Sequence, residues 1–313
     1  MIQKRKLNHV IKQPFMLLIM MGVYFSSQSQ IYCFEYPYQP YNEGKLCPQI
    51  KGWPLSTDAE KYALKAEYER RPGAEISQHK PELWPLVPTA GFWGGRSWLN
   101  THEKLVKTAK ENKGPIDILL LGDSITQQWG STLDKATGKP FNSAWNSAFG
   151  KYKAVNTGIG GDKIQNILWR FDHGGVEGLK PKVVVLLAGN NNMFFTPETG
   201  VEPVAKAIKV SVSRIKEEFP DAHVIVVKIF PAGEPTARFY KDIMKTNEAI
   251  DKLNLGQSES VSVLDIWNEM VNSNGEVKQE LFKPDKIHLS LKGYELYASK
   301  LKPIILKALG DRK

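Results

Sequence analysis

From Gly95 to the C-terminus, short apolar runs alternate with longer stretches whose apolar residues recur every three or four positions. The runs are IDILLL from Ile116, YKAVN from Tyr152, KVVVLLA from Lys182, AHVIVVKI from Ala222 and SVSVLDI from Ser260. Most are apolar at consecutive positions, which suits strands buried on both faces rather than strands with one wet face. The helical stretches are DKIQNILWRFD from Asp162, VEPVAKAIKVSVSRIKEEF from Val201, FYKDIMKTNEAIDKL from Phe239 and LKGYELYASKLKPIILKAL from Leu291. Strand and helix patterns in alternation predict an α/β domain, a parallel sheet sandwiched between helix layers, over residues 96–313. Ligands of such sheets bind beyond the carboxyl ends of the strands, so the loops after strands are where chemistry is sought.

The N-terminal part of the chain reads differently. Lys4, Arg5, Lys6 and Lys12 precede PFMLLIMMGVYF and then SSQSQ, the order of a basic, an apolar and a small-residue segment in a secretory signal peptide. Residues 1–30 are therefore expected to be a leader cleaved near Ser29, its apolar part shorter than the ~18 residues of a spanning helix. Export without a stable membrane anchor follows, to the periplasm or the medium. Loss of the four basic residues lowers the formal charge from +9 to +5 (9 − 4), a mildly basic surface that favours acidic partners only weakly in salt. No basic run interleaved with aromatics points to nucleic acid.

Residues 31–95 are rich in Pro, Tyr and Trp, with one helical stretch, DAEKYALKAEYERR, capped by Ser56 or Thr57 and stopped by Pro72. This extension lacks the apolar periodicity of an independent core and is expected to pack on the following domain. Cys33 and Cys47, the two cysteines of the chain, are candidates for a disulfide in an exported protein; two separate thiols are the alternative.

Four loops carry residues able to do chemistry. IDILLLGDS ends an apolar run by presenting Ser124, a candidate nucleophile, although a lone Gly-Asp-Ser is also an ordinary polar turn. VNTGIGGD places glycines after a strand, where uncovered amides can meet an anion; neither the Gly-x-x-x-x-Gly-Lys nor the Gly-x-Gly-x-x-Gly spacing of nucleotide loops is present. AGNNN puts Asn190, Asn191 and Asn192 at the end of the most apolar run, as a turn or as a source of amide donors for an oxyanion. PDKIHLS holds Asp285 and His288 three apart, so that one turn can supply both a base and the acceptor that orients it; a helix-capping Asp beside a surface His is the bland reading.

Taken in order, LGDSITQQW, NTGIGGDKIQNILWRF, KPKVVVLLAGNNN and DKIHLSLKGYELYA resemble the SGNH (GDSL-type) hydrolase superfamily, and within it the platelet-activating-factor acetylhydrolase-like branch. The resemblance runs from about Trp98 to Leu309 and leaves residues 33–97 without a counterpart. It implies a flavodoxin-like sandwich on a mostly five-stranded parallel sheet. It also implies a Ser124–His288–Asp285 triad, with the N–H groups of Ser124 and Gly161 and the side-chain amide of Asn191 as oxyanion donors. Asn190 departs from the threonine more usual in that block and, with Ile125 and Ile287, is a candidate for the acyl pocket. Neither metal nor cofactor is called for.

The expected activity is that of a secreted ester hydrolase removing short acyl groups, acetyl first, from a carbohydrate or polysaccharide. A lysophospholipase or broad acylesterase is the alternative within the same chemistry. From another class, a non-catalytic glycan-binding protein would use Tyr36, Tyr38, Tyr41, Trp53 and Trp84 to stack on sugars. The sequence assigns no oligomeric state.

Overall fold

The structure, a computed structural model, describes residues 24–25, 31–32, 96–131 and 142–310. By contacts the chain divides into two units, residues 1–79 and 80–313. In the first unit Tyr24–Phe25 and Ile31–Tyr32 pair antiparallel. The expected leader cleavage site, the helix after Thr57, Cys33 and Cys47, and the aromatics from Tyr36 to Trp84 lie outside the described residues.

The second unit is built on β1 (Gly114–Gly122), β2 (Ala154–Asn156), β3 (Leu179–Leu187), β4 (His223–Val227) and β5 (Val261–Leu264). All neighbours are parallel, in the order β2-β1-β3-β4-β5. Each strand lies within one of the five apolar runs or overlaps it. The register of β1 on β3 runs from Gly114↔Leu179 to Gly122↔Leu187, so both strands reach the same carboxyl edge together. Chain order reverses between them: β1 is followed by β2 on one side and by β3 on the other, which opens a crevice at their ends.

Helices α1 (Arg96–Glu111), α2 (Ser124–Ser131), α3 (Asn142–Phe149), α4 (Ile164–Asp172), α5 (Asn190–Phe195), α6 (Val201–Glu218), α7 (Arg238–Lys252), α8 (Trp267–Met270) and α9 (Leu291–Ala308) accompany the sheet. The four helical stretches expected after Gly95 correspond to α4, α6, α7 and α9. On one face Ile118, Leu120, Val183 and Val185 share a core with Trp129 of α2, Phe149 of α3 and Tyr294, Tyr297 and Leu301 of α9. The intervening residues, Leu119, Leu121, Val184 and Leu186, are equally buried on the other face, where α4, α6 and α7 pack together. Burial on both faces is why the strands carry no hydrophobic alternation. Among the described residues no helix is long and apolar enough to cross a membrane.

Candidate active site

Strand β1 ends at Gly122, where only glycine fits: a β-carbon there would collide with Thr126 and stand 2.6 Å from the Leu187 carbonyl. The chain turns at Asp123, whose Oδ1 accepts the Ile125 N–H at 2.9 Å, and Ser124 becomes the first residue of α2. In that position its backbone N–H has no acceptor within the helix. Tyr294 of α9 fixes the turn from below by donating its hydroxyl to the Ile125 carbonyl at 2.6 Å.

The loop before α9 brings the second group. Ser124 Oγ lies 2.9 Å from His288 Nε2, and His288 Nδ1 lies 2.8 Å from Asp285 Oδ2. A carboxylate only accepts, so Nδ1 carries the imidazole proton and Nε2 accepts from the serine hydroxyl. The other carboxylate oxygen accepts the N–H groups of Ile287 and His288, each at 2.9 Å. Burial pushes the Asp285 carboxyl up, but these three hydrogen bonds outweigh it and hold the group below its usual value. Lys286 completes the turn at φ 57°, a left-handed conformation, and is fixed there by its ion pair with Glu234 and by the Gly233 N–H on its carbonyl at 2.9 Å. Strain of this kind persists where the surroundings over-determine it.

The third group comes from the glycine loop after β2. Gly161 has φ +82°, a conformation that L side chains rarely adopt. Gly160 lies against the serine, a β-carbon there standing 3.6 Å from Ser124 Cβ, and its N–H is taken by Gln127 Oε1 at 2.9 Å. Among the described residues no bond claims the N–H of Gly161. Asn191, in the first turn of α5, donates its amide to the Asp162 carbonyl at 2.9 Å and reaches Asp123 Oδ2 at 3.5 Å. Asn192 serves the scaffold: it accepts the Ile164 N–H and donates to Gln165.

A buried charged network lies under these donors. Asp162 is fully buried; Oδ1 accepts the Trp98 indole N–H at 2.7 Å, and Oδ2 pairs with Arg170 at 2.9 Å. Arg170, itself 1% exposed, also donates to the carbonyls of Thr157 and Gly122. One guanidinium therefore ties the glycine loop to the end of β1. Burial pushes the Asp123 carboxyl up to about 7, with the nearby Asp162 adding to the rise. Burial also raises Asp162, against the pull of Arg170. Trp98 stacks on His102, and Trp169 on His173; both histidines are depressed by burial, to about 3 and about 4, and belong to the packing of α1 on α4.

The structure thus brings together Ser124, His288, Asp285, Gly161 and Asn191 from four separate loops. Of the three acyl-pocket candidates, Ile125 needs correction: it is 3% exposed and sits in the core with Trp129 and Tyr294, because its side chain points beneath the turn that lifts Ser124. Asn190 is 8% exposed, next to Asn191, with a buried Oδ1 that has no partner among the described residues. Ile287 is half-buried beside His288. Trp98, Gln127 and Arg170 escaped the sequence reading, since nothing local links them to the loops they hold. Among the described residues there is no group of three or more His, Cys, Asp or Glu side chains placed to hold a metal.

A parallel α/β sandwich with a serine, a histidine and an aspartate in hydrogen-bonded line at its carboxyl edge defines the class of serine acylhydrolases. The chain belongs to the GDSL-like Lipase/Acylhydrolase family, whose sequence pattern matches residues 120–296. It is 32% identical over 219 residues to platelet-activating factor acetylhydrolase IB subunit alpha2 of Rattus norvegicus, covering 70% of this chain and 87% of that one. The alpha1 subunit of Pongo abelii is 29% identical over 239 residues, covering 76% and 94%. Among solved structures, a GDSL-like lipase from Bacteroides thetaiotaomicron VPI-5482 has the same fold, with a TM-score of 0.51 at 19% identity, covering 66% of this chain and 98% of that one.

Proposed function

We propose that the chain is an exported serine esterase that releases short acyl groups, acetyl before longer ones, with Ser124 as nucleophile, His288 as base and Asp285 as its orienting carboxylate. The observation that carries this reading is the unbroken line from Ser124 Oγ to His288 Nε2 and from Nδ1 to Asp285, at 2.9 and 2.8 Å. Ser124 Oγ attacks the ester carbonyl as its proton passes to His288 Nε2, and Asp285 stabilises the imidazolium. The developing oxyanion is met by the N–H groups of Ser124 and Gly161 and by the Asn191 N–H now 3.5 Å from Asp123. Catalytic hydrogen bonds of this kind are often long before substrate binds. His288 then returns its proton to the departing alcohol, and water releases the acid by the same steps in reverse.

Two features support a small acyl group. Asn190 and Ile287 stand beside the oxyanion donor and the base, and the matching relatives are named acetylhydrolases. For the alcohol, the expected leader and the aromatic residues before Gly95 support an acetylated polysaccharide outside the cell. An ester of an apolar alcohol, of the lysophospholipid kind, is the second reading, favoured by Phe194 and Phe195, 51% and 58% exposed on α5.

Turnover of 4-nitrophenyl acetate, butyrate and octanoate by wild type and Ser124→Ala tests the reading. Acetate is expected to be the best substrate, with no turnover in the variant; octanoate equal to acetate would overturn the acyl assignment. Acetate release from acetylated xylan tests the polysaccharide, and the N-terminal mass of exported protein tests cleavage near Ser29.

A further inference from the structure

Three phenylalanines form a row on the rim of the site. Phe195 lies under Lys163 Nζ, 5.9 Å from its ring centre, and Lys163 follows Gly161 and Asp162 in the oxyanion loop. Phe194 meets Phe195 edge to face at 4.9 Å and meets Phe239 of α7 the same way at 5.2 Å. Phe239 packs against Gly233, a β-carbon there standing 3.8 Å from the ring. Gly233 in turn donates its N–H to Lys286, between Asp285 and His288. The row therefore runs from the loop carrying the oxyanion donors to the loop carrying the base.

Nothing in the proposed acyl-transfer chemistry uses these rings; Phe239 is half-buried, and burial in the fold does not account for Phe194 and Phe195. Phe194 and Phe195 are more than half exposed, on the short helix that carries Asn191. Large apolar side chains left open beside a reactive site mark a place where a ligand buries them. None of the three rings has an N–H or O–H. At the Phe239 end the charges are committed, Glu234 to Lys286 and Arg238 to Asp242, and at the other end Lys163 lies over the Phe195 ring, so a hydroxyl-rich ring would find mostly apolar faces and few partners.

We infer that the Phe195–Phe194–Phe239 row is a subsite for the hydrocarbon part of the ester's alcohol, an alkyl chain or aryl ring leaving from the side of His288. The inference rests on the short-acyl reading above: with an acetyl group in the acyl site, only the alcohol extends as far as the rings. It chooses the apolar of the two alcohol classes.

The experiment holds the acyl group constant and varies the alcohol, using methyl acetate, hexyl acetate, 2-phenylethyl acetate and an acetylated xylo-oligosaccharide with full-length protein. In Phe194→Ala/Phe195→Ala the ratio of kcat/KM on hexyl acetate to that on methyl acetate is expected to fall about tenfold, through KM, as the covered apolar area is lost. Phe239→Ala, on a helix that carries no oxyanion donor, is expected to lower the same ratio by a smaller factor, and Phe195→Leu to restore part of it. An unchanged ratio in both alanine variants would overturn the subsite. A larger loss on the xylo-oligosaccharide than on hexyl acetate would also overturn it and assign the rings to sugar stacking. Saturation-transfer NMR of 2-phenylethanol with Ser124→Ala, with and without the phenylalanines, reads the subsite without turnover. Signal lost with the rings supports it even if no ester is cleaved, and signal retained removes it even if esters are.

Discussion

Asp285 and Asp162 are aspartates of one site, each in contact with a basic side chain, and they live under opposite conditions. The Asp285 side chain is 45% exposed, and its oxygens are met by its own loop within three residues. Asp162 is fully enclosed, and its partners come from Trp98 in α1 and Arg170 in α4. The relay must meet substrate and water, so it is built from exposed groups locked by local backbone. The oxyanion donors must hold still while charge develops, so they are mounted on a dry ionic network that solvent cannot loosen. The two sides should therefore fail differently: damage to the relay stops chemistry in a folded protein, and damage to the network unfolds the mount.

The largest effect sharpens the relay half. Ser124→Ala and His288→Ala are expected to lower kcat on 4-nitrophenyl acetate by about 10^6-fold, and Asp285→Asn by about 10^4-fold, because the amide turns a donor toward Nδ1 and favours the wrong tautomer. Thermal melts of all three should stay within a few degrees of wild type. A variant that loses its fold with its activity would break the contrast.

On the other side, Arg170→Met leaves Asp162 buried and unpaired. It is expected to destabilise by ~3–5 kcal/mol, read by urea unfolding, with activity falling in step with the folded fraction. Full stability with a purely kinetic loss would show that the network is not the mount described here.

Proton linkage separates the sides by sign. Burial raises Asp123 from 3.8 to about 7, so the folded chain holds a proton there that the unfolded chain releases. That contribution is fully present below pH ~3.8 and is lost as pH rises through about 7. Asp285 is depressed, so its contribution is present above pH ~3.8 and lost as pH falls through its lower folded value. The isostere Asp123→Asn keeps the bond to the Ile125 N–H and cannot titrate. Its stability relative to wild type should rise between pH 4 and 7, by at most ~4 kcal/mol. A flat difference across that window would remove the buried-proton account.

The same contrast explains what could be read without coordinates. The sheet was legible because strands buried on both faces print as unbroken apolar runs, and the relay because Asp285 and His288 share one turn. The mount was not legible. Trp98 and Asp162 are 64 positions apart, and Arg170 reaches back 48 to Gly122, through contacts that leave no periodicity. Ile125 was misplaced for a related reason. Adjacent residues at a strand-to-helix turn face opposite ways, and adjacency to Ser124 carried no information on which way the next side chain points.

Trp98→Phe gives the smallest effect and the finest test of the mount. Phenylalanine keeps an aromatic ring for His102 to stack on but removes the indole N–H, so Asp162 Oδ1 loses its 2.7 Å donor while Arg170 still holds Oδ2. The expected loss is ~1–3 kcal/mol, the cost of one buried acceptor left unmet. Because Asp162 also offers its carbonyl to Asn191, the shift should be felt at the oxyanion: kcat should fall several-fold with KM nearly constant. Trp98→His, with a ring nitrogen able to donate, should recover part of kcat if the bond matters and none if only ring volume does. A KM effect in either variant would place Trp98 against substrate rather than beneath the donors.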